Sequence, residues 1–253
     1  MFKTSVLLSA FLILCLPTLT FAAETSPIKL LIFGGGTHHE FGKCSGSFID
    51  HLRSKGGFTV YYSEDINSLQ YENLKKYNVL LLNCCLYYPN PPDPAFKLPS
   101  PEFIQESLPR FVSEGGGLVC VHCSVASFSD WKDKINVLGG IWDWDKSKHD
   151  AYQPMNSEVT VPDHPIVKGL PKTFTFPDEF YHTLTVLPSS KILIQGTHDK
   201  EGKPVTEPLV WVAKDTEKER VVTILYGHDM GSWGNPIVQD LLRQAVEWSA
   251  RKR

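Results

Sequence analysis

The run Gly115 to Ser124 constrains the fold more than any other stretch of the chain. It joins glycines that stop a helix, a short apolar strand, and a polar turn that carries His122. Open α/β sheets bind ligands outside the carboxyl ends of their strands, which is where this pattern delivers the histidine. The same grammar recurs upstream. Ile28–Phe33 is an apolar strand ending in Gly34-Gly35-Gly36, and Phe48, Ile49 and Leu52 keep helical spacing up to a stop at Gly56-Gly57. Phe58–Tyr62 reads as a second strand and Leu69–Tyr77 as a short helix. Asn78–Asn83 is a third strand without polar alternation, as burial on both faces of a parallel sheet requires. Pro101-Glu102 opens a helix to Glu114, because proline suits a first helical turn. The alternation predicts an α/β protein with right-handed crossovers and an open, mostly parallel sheet with helices on both faces.

The second half is less regular. Tyr87–Pro101 holds six prolines and reads as an irregular loop over the carboxyl edge. Met155–Val161 is expected as an edge strand, and Lys191–Gln195, Pro208–Val212 and Arg220–Tyr226 as further strands. Asn235-Pro236 begins a final amphipathic helix with Val238, Leu241, Leu242, Ala245 and Trp248 on one side. The last strand finishes in Gly227-His228-Asp229, which predicts that His228 reaches the same sheet edge as His122.

Residues 1–23 read as a secretory leader, with a basic start at Lys3, an apolar run from Ser5 to Leu16 and small residues before Glu24. The run is too short to span a membrane. The leader places residues 24–253, read as a single domain, in the periplasm or outside the cell. Its removal takes away Lys3 and shifts the formal net charge from −3 to −4, and a mildly acidic chain argues against nucleic acid as partner. Cys15 leaves with the leader, so five of the six cysteines remain. An odd number cannot all pair within a chain, and Cys84-Cys85 and Cys120-x-x-Cys123 lack the second pair of a structural zinc site. They read as small buried hydrophobes. The tail Arg251–Arg253 complements the negative end of the last helix.

Several segments in order resemble the ThuA-like family, named for trehalose utilisation. They are Gly115–His122, Gly139-Gly140 followed by His149, Asp163–Leu170, Asp178–Tyr181, Pro208–Trp211, and Arg220 through Gly227-His228-Asp229 to Asn235-Pro236. The resemblance implies a flavodoxin-like core akin to class I glutamine amidotransferases, and a link to bacterial carbohydrate breakdown. Amidotransferases carry a cysteine nucleophile at a sharp turn after a strand. Here that position falls on His122, with Cys123 one residue on and no glycine in the following Ser124-Val125-Ala126.

What remains is a histidine and carboxylate site. His122, Glu179 and His228 are the candidate catalytic groups, since histidine is the default acid or base near neutral pH. Glu179 lies among aromatics in Pro177–His182, and a solvated turn is the plain alternative. Asp229 is either a site residue or a loop cap. His122, His149, His182 and His228, with the Glu179 carboxylate, also suit zinc or a similar divalent ion, although no fixed ligand spacing supports it. His38 and His39 follow the first glycine loop and are expected to line the pocket with Trp142, Trp233 and Asp229. Neither GxGxxG nor a Walker lysine is present, so no nucleotide cofactor is expected. Trp142, Trp144 and Trp233, with Tyr87 and Tyr88, offer aromatic faces that suit a sugar ring, or else pack ordinary loops. His164 reads as structural, and His51 and His198 as surface residues.

Together these readings point to an exported hydrolase or lyase acting on a disaccharide, glycoside or keto-sugar. A non-catalytic carbohydrate-binding accessory protein and a cysteine-dependent amidohydrolase stand as alternatives.

Overall fold

A computed structural model describes residues 26–86, 101–200 and 202–250. Residues 1–23, expected as a leader, Tyr87 and Tyr88 with most of the proline-rich segment, and the basic tail lie outside the described residues. The first half alternates as its pattern demands. It runs β1 (Ile28–Gly36), α1 (Phe41–Lys55), β2 (Phe58–Ser63), α2 (Tyr71–Leu74), β3 (Val79–Cys85), α3 (Glu102–Ser113) and β4 (Gly117–Val121). A short α4 (Ile135–Leu138) follows. Two-residue strands come next, β5 (Gly140–Ile141) and β6 (Lys148–His149), then β7 (Gln153–Val159) and β8 (Thr173–Asp178). After β9 (Tyr181–His182) and β10 (Thr185–Val186) come the long β11 (Lys191–Lys200) and β12 (Lys203–Asp215), then β13 (Arg220–Ile224), α5 (Met230–Trp233) and α6 (Pro236–Ala250).

Nine strands form one sheet in the order β2-β1-β3-β4-β13-β12-β11-β7-β8. The first five run parallel, and β12, β11, β7 and β8 extend them with antiparallel pairings. Every residue of β3 and β4 is buried, which is what helices on both faces require. One face of β4 meets α6, because a side chain at Gly117 would collide with the Ser249 carbonyl. On the opposite face of the sheet the neighbouring strand β13 meets α4, where the Thr223 hydroxyl donates to the Leu138 carbonyl. In α6, Val238, Leu241, Leu242, Ala245 and Trp248 are buried as their spacing predicts.

One expectation needs correction. The strand near Met155 is interior to the sheet, since β7 pairs with both β11 and β8, and the edge belongs to β8. All five described cysteines are buried free thiols. Among the described residues no helix is long and apolar enough to cross a membrane.

Candidate active site

Val121 of β4 pairs with Ile224 of β13, so the residues after these parallel strands emerge side by side. His122 turns sharply off its strand with φ +47°, a conformation that strains a residue bearing a Cβ. Its Nδ1 lies 2.7 Å from the Leu225 carbonyl. A carbonyl only accepts, so Nδ1 holds the proton and Nε2 turns toward the cleft. His39, just beyond the glycines of β1, repeats the arrangement, with Nδ1 2.8 Å from the His228 carbonyl. Gly36 makes that exit possible, because a Cβ there would stand 2.2 Å from the Cys85 carbonyl oxygen. His39, His122 and His228 thereby converge, each offering a ring nitrogen within 4.8 Å of the others.

The antiparallel half supplies the negative charge. Asp178, at the end of β8, is fully buried and accepts hydrogen bonds from the Gly227 amide at 2.9 Å, the His228 amide at 3.2 Å and the Ser232 hydroxyl at 2.7 Å. It pins the loop after β13 to the far edge strand. The next residue, Glu179, reaches into the histidines. Its Oε1 is 2.8 Å from His149 Nδ1, while its Oε2 is 3.5 Å from His122 Nε2 and 3.3 Å from His228 Nδ1. The Tyr181 hydroxyl lies 3.1 Å from His122 Nε2.

Burial alone would raise the Glu179 carboxyl, but the His122 and His228 imidazoles beside it outweigh burial and hold it well below the usual carboxylate range. The same carboxylate raises His228, against the opposing effect of burial. Burial, helped by repulsion from His122, brings His39 down to about 4, so it stays neutral. The cleft therefore holds a fixed anion, a histidine that favours its proton and a histidine that refuses one.

Above these groups lies a cavity of about 300 Å³, at the lower end of the range for small ligands. His38, His39, Trp142, Trp144, His149 and His228 are among its walls, so the expected lining by His38, His39 and Trp142 is present. His122 is 1% exposed and sits beneath the floor, against Glu179, Tyr181, His39 and His228. Trp233 is not in the cleft at all. Its ring is fully buried against Phe48, and its indole donates to the Gly227 carbonyl at 2.9 Å. Asp229 is a cap, accepting from the Ser232 amide at 3.0 Å to start α5. His182 leaves the expected metal set, because neighbouring residues of a strand face opposite ways and Tyr181 takes the cleft side. His149 contacts Glu179 at the mouth and is not part of the converging trio. His164 accepts from the Ile166 amide within its own turn, as a structural residue does. His198 is far from a surface residue, with 9% of its side chain exposed, and His51 packs on Phe48 with 13% exposed.

Cys123 lines the cleft, yet its thiol is poorly suited to attack. It donates to the Cys84 carbonyl, and burial pushes its pKa far up. Asp178 and Tyr181 are the residues that sequence reasoning left without a role, although both stand in the charged, aromatic stretch that drew attention to Glu179.

The fold and the cleft define a flavodoxin-like α/β protein with a histidine–carboxylate site at the carboxyl ends of its parallel strands. A family model described as ThuA, trehalose utilisation, matches residues 29–249, and the chain belongs to that family. Among solved structures, it is similar to a ThuA-like protein from Parabacteroides merdae, at 22% identity and TM-score 0.72, over 89% of this chain and 91% of that one. A ThuA-like protein from Bacteroides uniformis is similar at 22% identity and TM-score 0.70, over 90% and 94%. A glutamine amidotransferase from Thermotoga maritima shares the fold at 11% identity and TM-score 0.57, over 88% and 98%. Comparison with curated proteins finds no match.

Proposed function

We propose that the chain is an exported enzyme that binds a sugar in the Trp142–His149 cleft and breaks a carbon–oxygen bond by acid–base catalysis. The observation that carries this reading is one mostly buried carboxylate, Glu179, shared by His122, His149 and His228. A carboxylate facing Nδ1 of an imidazole fixes its tautomer and supports the charged form, leaving Nε2 to exchange protons. Glu179 does this for His228 and lies 2.8 Å from Nδ1 of His149. Held so strongly ionised, it is itself a weak base, and His149 and His228 take the proton-transfer roles. His122, out of reach of a substrate, is a positioning residue.

For a glycoside carrying a keto group, His149 removes the proton from the carbon beside the carbonyl. The electron pair then expels the glycosidic oxygen from the next carbon, and His228 gives that oxygen its proton. Atoms and charge balance without a redox partner. The Trp142 and Trp144 rings offer the apolar faces that sugar rings cover.

A divalent ion fits the same cleft, and one feature favours it. His39 and His122 each tie Nδ1 to a backbone carbonyl, the outer-shell arrangement that presents Nε2 as a metal ligand. His39, His122 and His228 would hold the ion, with His228 then a ligand and not the acid, and the ion would supply a positive charge for an oxyanion forming on the substrate.

A screen of the purified chain on disaccharides and their keto forms, with metal content measured alongside, tests the proposal. Release of a monosaccharide or an unsaturated sugar is expected. Sugar binding without turnover of any of them would make the chain an accessory binding protein.

A further inference from the structure

A second convergence of ligands lies on the other face of the β6–β9 ribbon. Lys148 pairs with His182 and His149 with Tyr181, so residues alternate between two sides. His149 and Tyr181 serve the cleft, while Asp150 and His182 turn the other way and meet His198 of β11. His182 Nε2 is 3.5 Å from Asp150 Oδ1, His198 Nδ1 is 3.2 Å from Asp150 Oδ2, and the two imidazoles lie 4.7 Å apart between centroids. Each of the three offers a donor atom within 4.8 Å of the others.

From these contacts we infer a second divalent metal site, formed by Asp150, His182 and His198 and suited to zinc. Hydrogen bonding alone accounts poorly for the cluster. The His198 side chain is 9% exposed and stacked on Phe180, and among the described residues neither of its buried ring nitrogens has a hydrogen-bond partner. The Asp150 carboxylate is close enough to Nδ1, but the ring is not turned to donate to it. A buried imidazole in that state carries an unrecovered desolvation cost. Ligation removes the discrepancy, because two ligands of one ion stand near each other without a hydrogen between them. Nitrogen and oxygen ligands about 2.0–2.1 Å from a tetrahedral zinc are roughly 3.3 Å apart, close to both contacts to Asp150. Two imidazoles and one carboxylate match the borderline character of that ion, and Asp150, 25% exposed, leaves a side open for water.

The position gives the ion a purpose. Among the described residues β6 and β9 pair only with each other, outside the nine-stranded sheet. An ion bound to His198 would clamp the ribbon onto β11, and with it His149 and Tyr181 on the ribbon's other face. This inference rests on residues apart from those of the proposed reaction.

The test uses the chelator-treated full chain carrying His39→Ala and His228→Ala, which removes the cleft trio, titrated with cobalt(II) and followed by its visible ligand-field absorption. One cobalt per chain is expected. Adding either His182→Asn or His198→Gln should weaken binding at least tenfold, and Asp150→Asn should do the same should either histidine variant fail to fold. Failure to bind cobalt, or binding indifferent to all three changes, overturns the site. Neither result depends on finding a sugar substrate.

Discussion

The parallel and antiparallel halves of the sheet furnish the cleft in different ways. In the parallel half, position follows from topology. β1, β4 and β13 end at one edge, and the residues just beyond them, His39, His122 and His228, meet there. In the antiparallel half, position follows from particular contacts, because Glu179 and Tyr181 come from the far edge strand and a two-residue ribbon. They reach the histidines because Asp178 is bound to the loop after β13. One half thus supplies neutral or protonated imidazoles and the other the charge that distinguishes them.

The most severe way to break this division is to remove the shared charge. Glu179→Gln and His228→Ala should each lower turnover roughly a hundredfold or more, as loss of a positioned acid–base group does, with much smaller effects on sugar affinity. Because they act as one unit, the double variant should be scarcely worse than either single one. Steady-state kinetics that show multiplicative losses would separate the two halves.

Cutting the joint comes next. Asp178→Ala leaves the amides of Glu179, Gly227 and His228 and the Ser232 hydroxyl without their acceptor, and chemical denaturation should show a loss of about 3 kcal/mol. A change under about 1 kcal/mol would mean that the halves hold together without it.

The smallest effect is expected for the thiol of the parallel half. Cys123→Ser should leave turnover within about tenfold of the parent, or no more than about 1.4 kcal/mol of transition-state stabilisation. A loss of several orders of magnitude in a folded variant would restore the cysteine as nucleophile.

The same division explains what could be read from the chain beforehand. Strand ends of the parallel half were legible because buried parallel strands are continuous apolar runs closed by glycine, as at Gly115–His122, and adjacent strands must deliver their ends to one edge. β8 was overlooked, although Thr173–Asp178 alternates exposed threonines with buried phenylalanines, because the alternation is short and holds a proline. Which face His182 takes depends on the register of a two-residue pairing, and no periodicity can reveal that. Trp233 was mistaken for a wall of the cleft because an aromatic after a strand-end loop serves equally well as a plug under that loop. His198 lies within a strand whose partner sets its surroundings, so its burial could not be read locally.

The central claim is that the carboxylate from the antiparallel half sets the proton affinity of a histidine from the parallel half. The most direct measurement is the NMR titration of the His228 imidazole in metal-free protein, with and without Glu179→Gln. In the parent chain His228 should titrate above the ordinary histidine value, because Glu179 favours its charged form and outweighs burial, while His39 titrates near 4. In the variant the favourable charge is gone and burial still disfavours the proton, so the His228 midpoint should fall below its value in the parent. A His228 midpoint that does not move on losing the Glu179 charge would contradict the account.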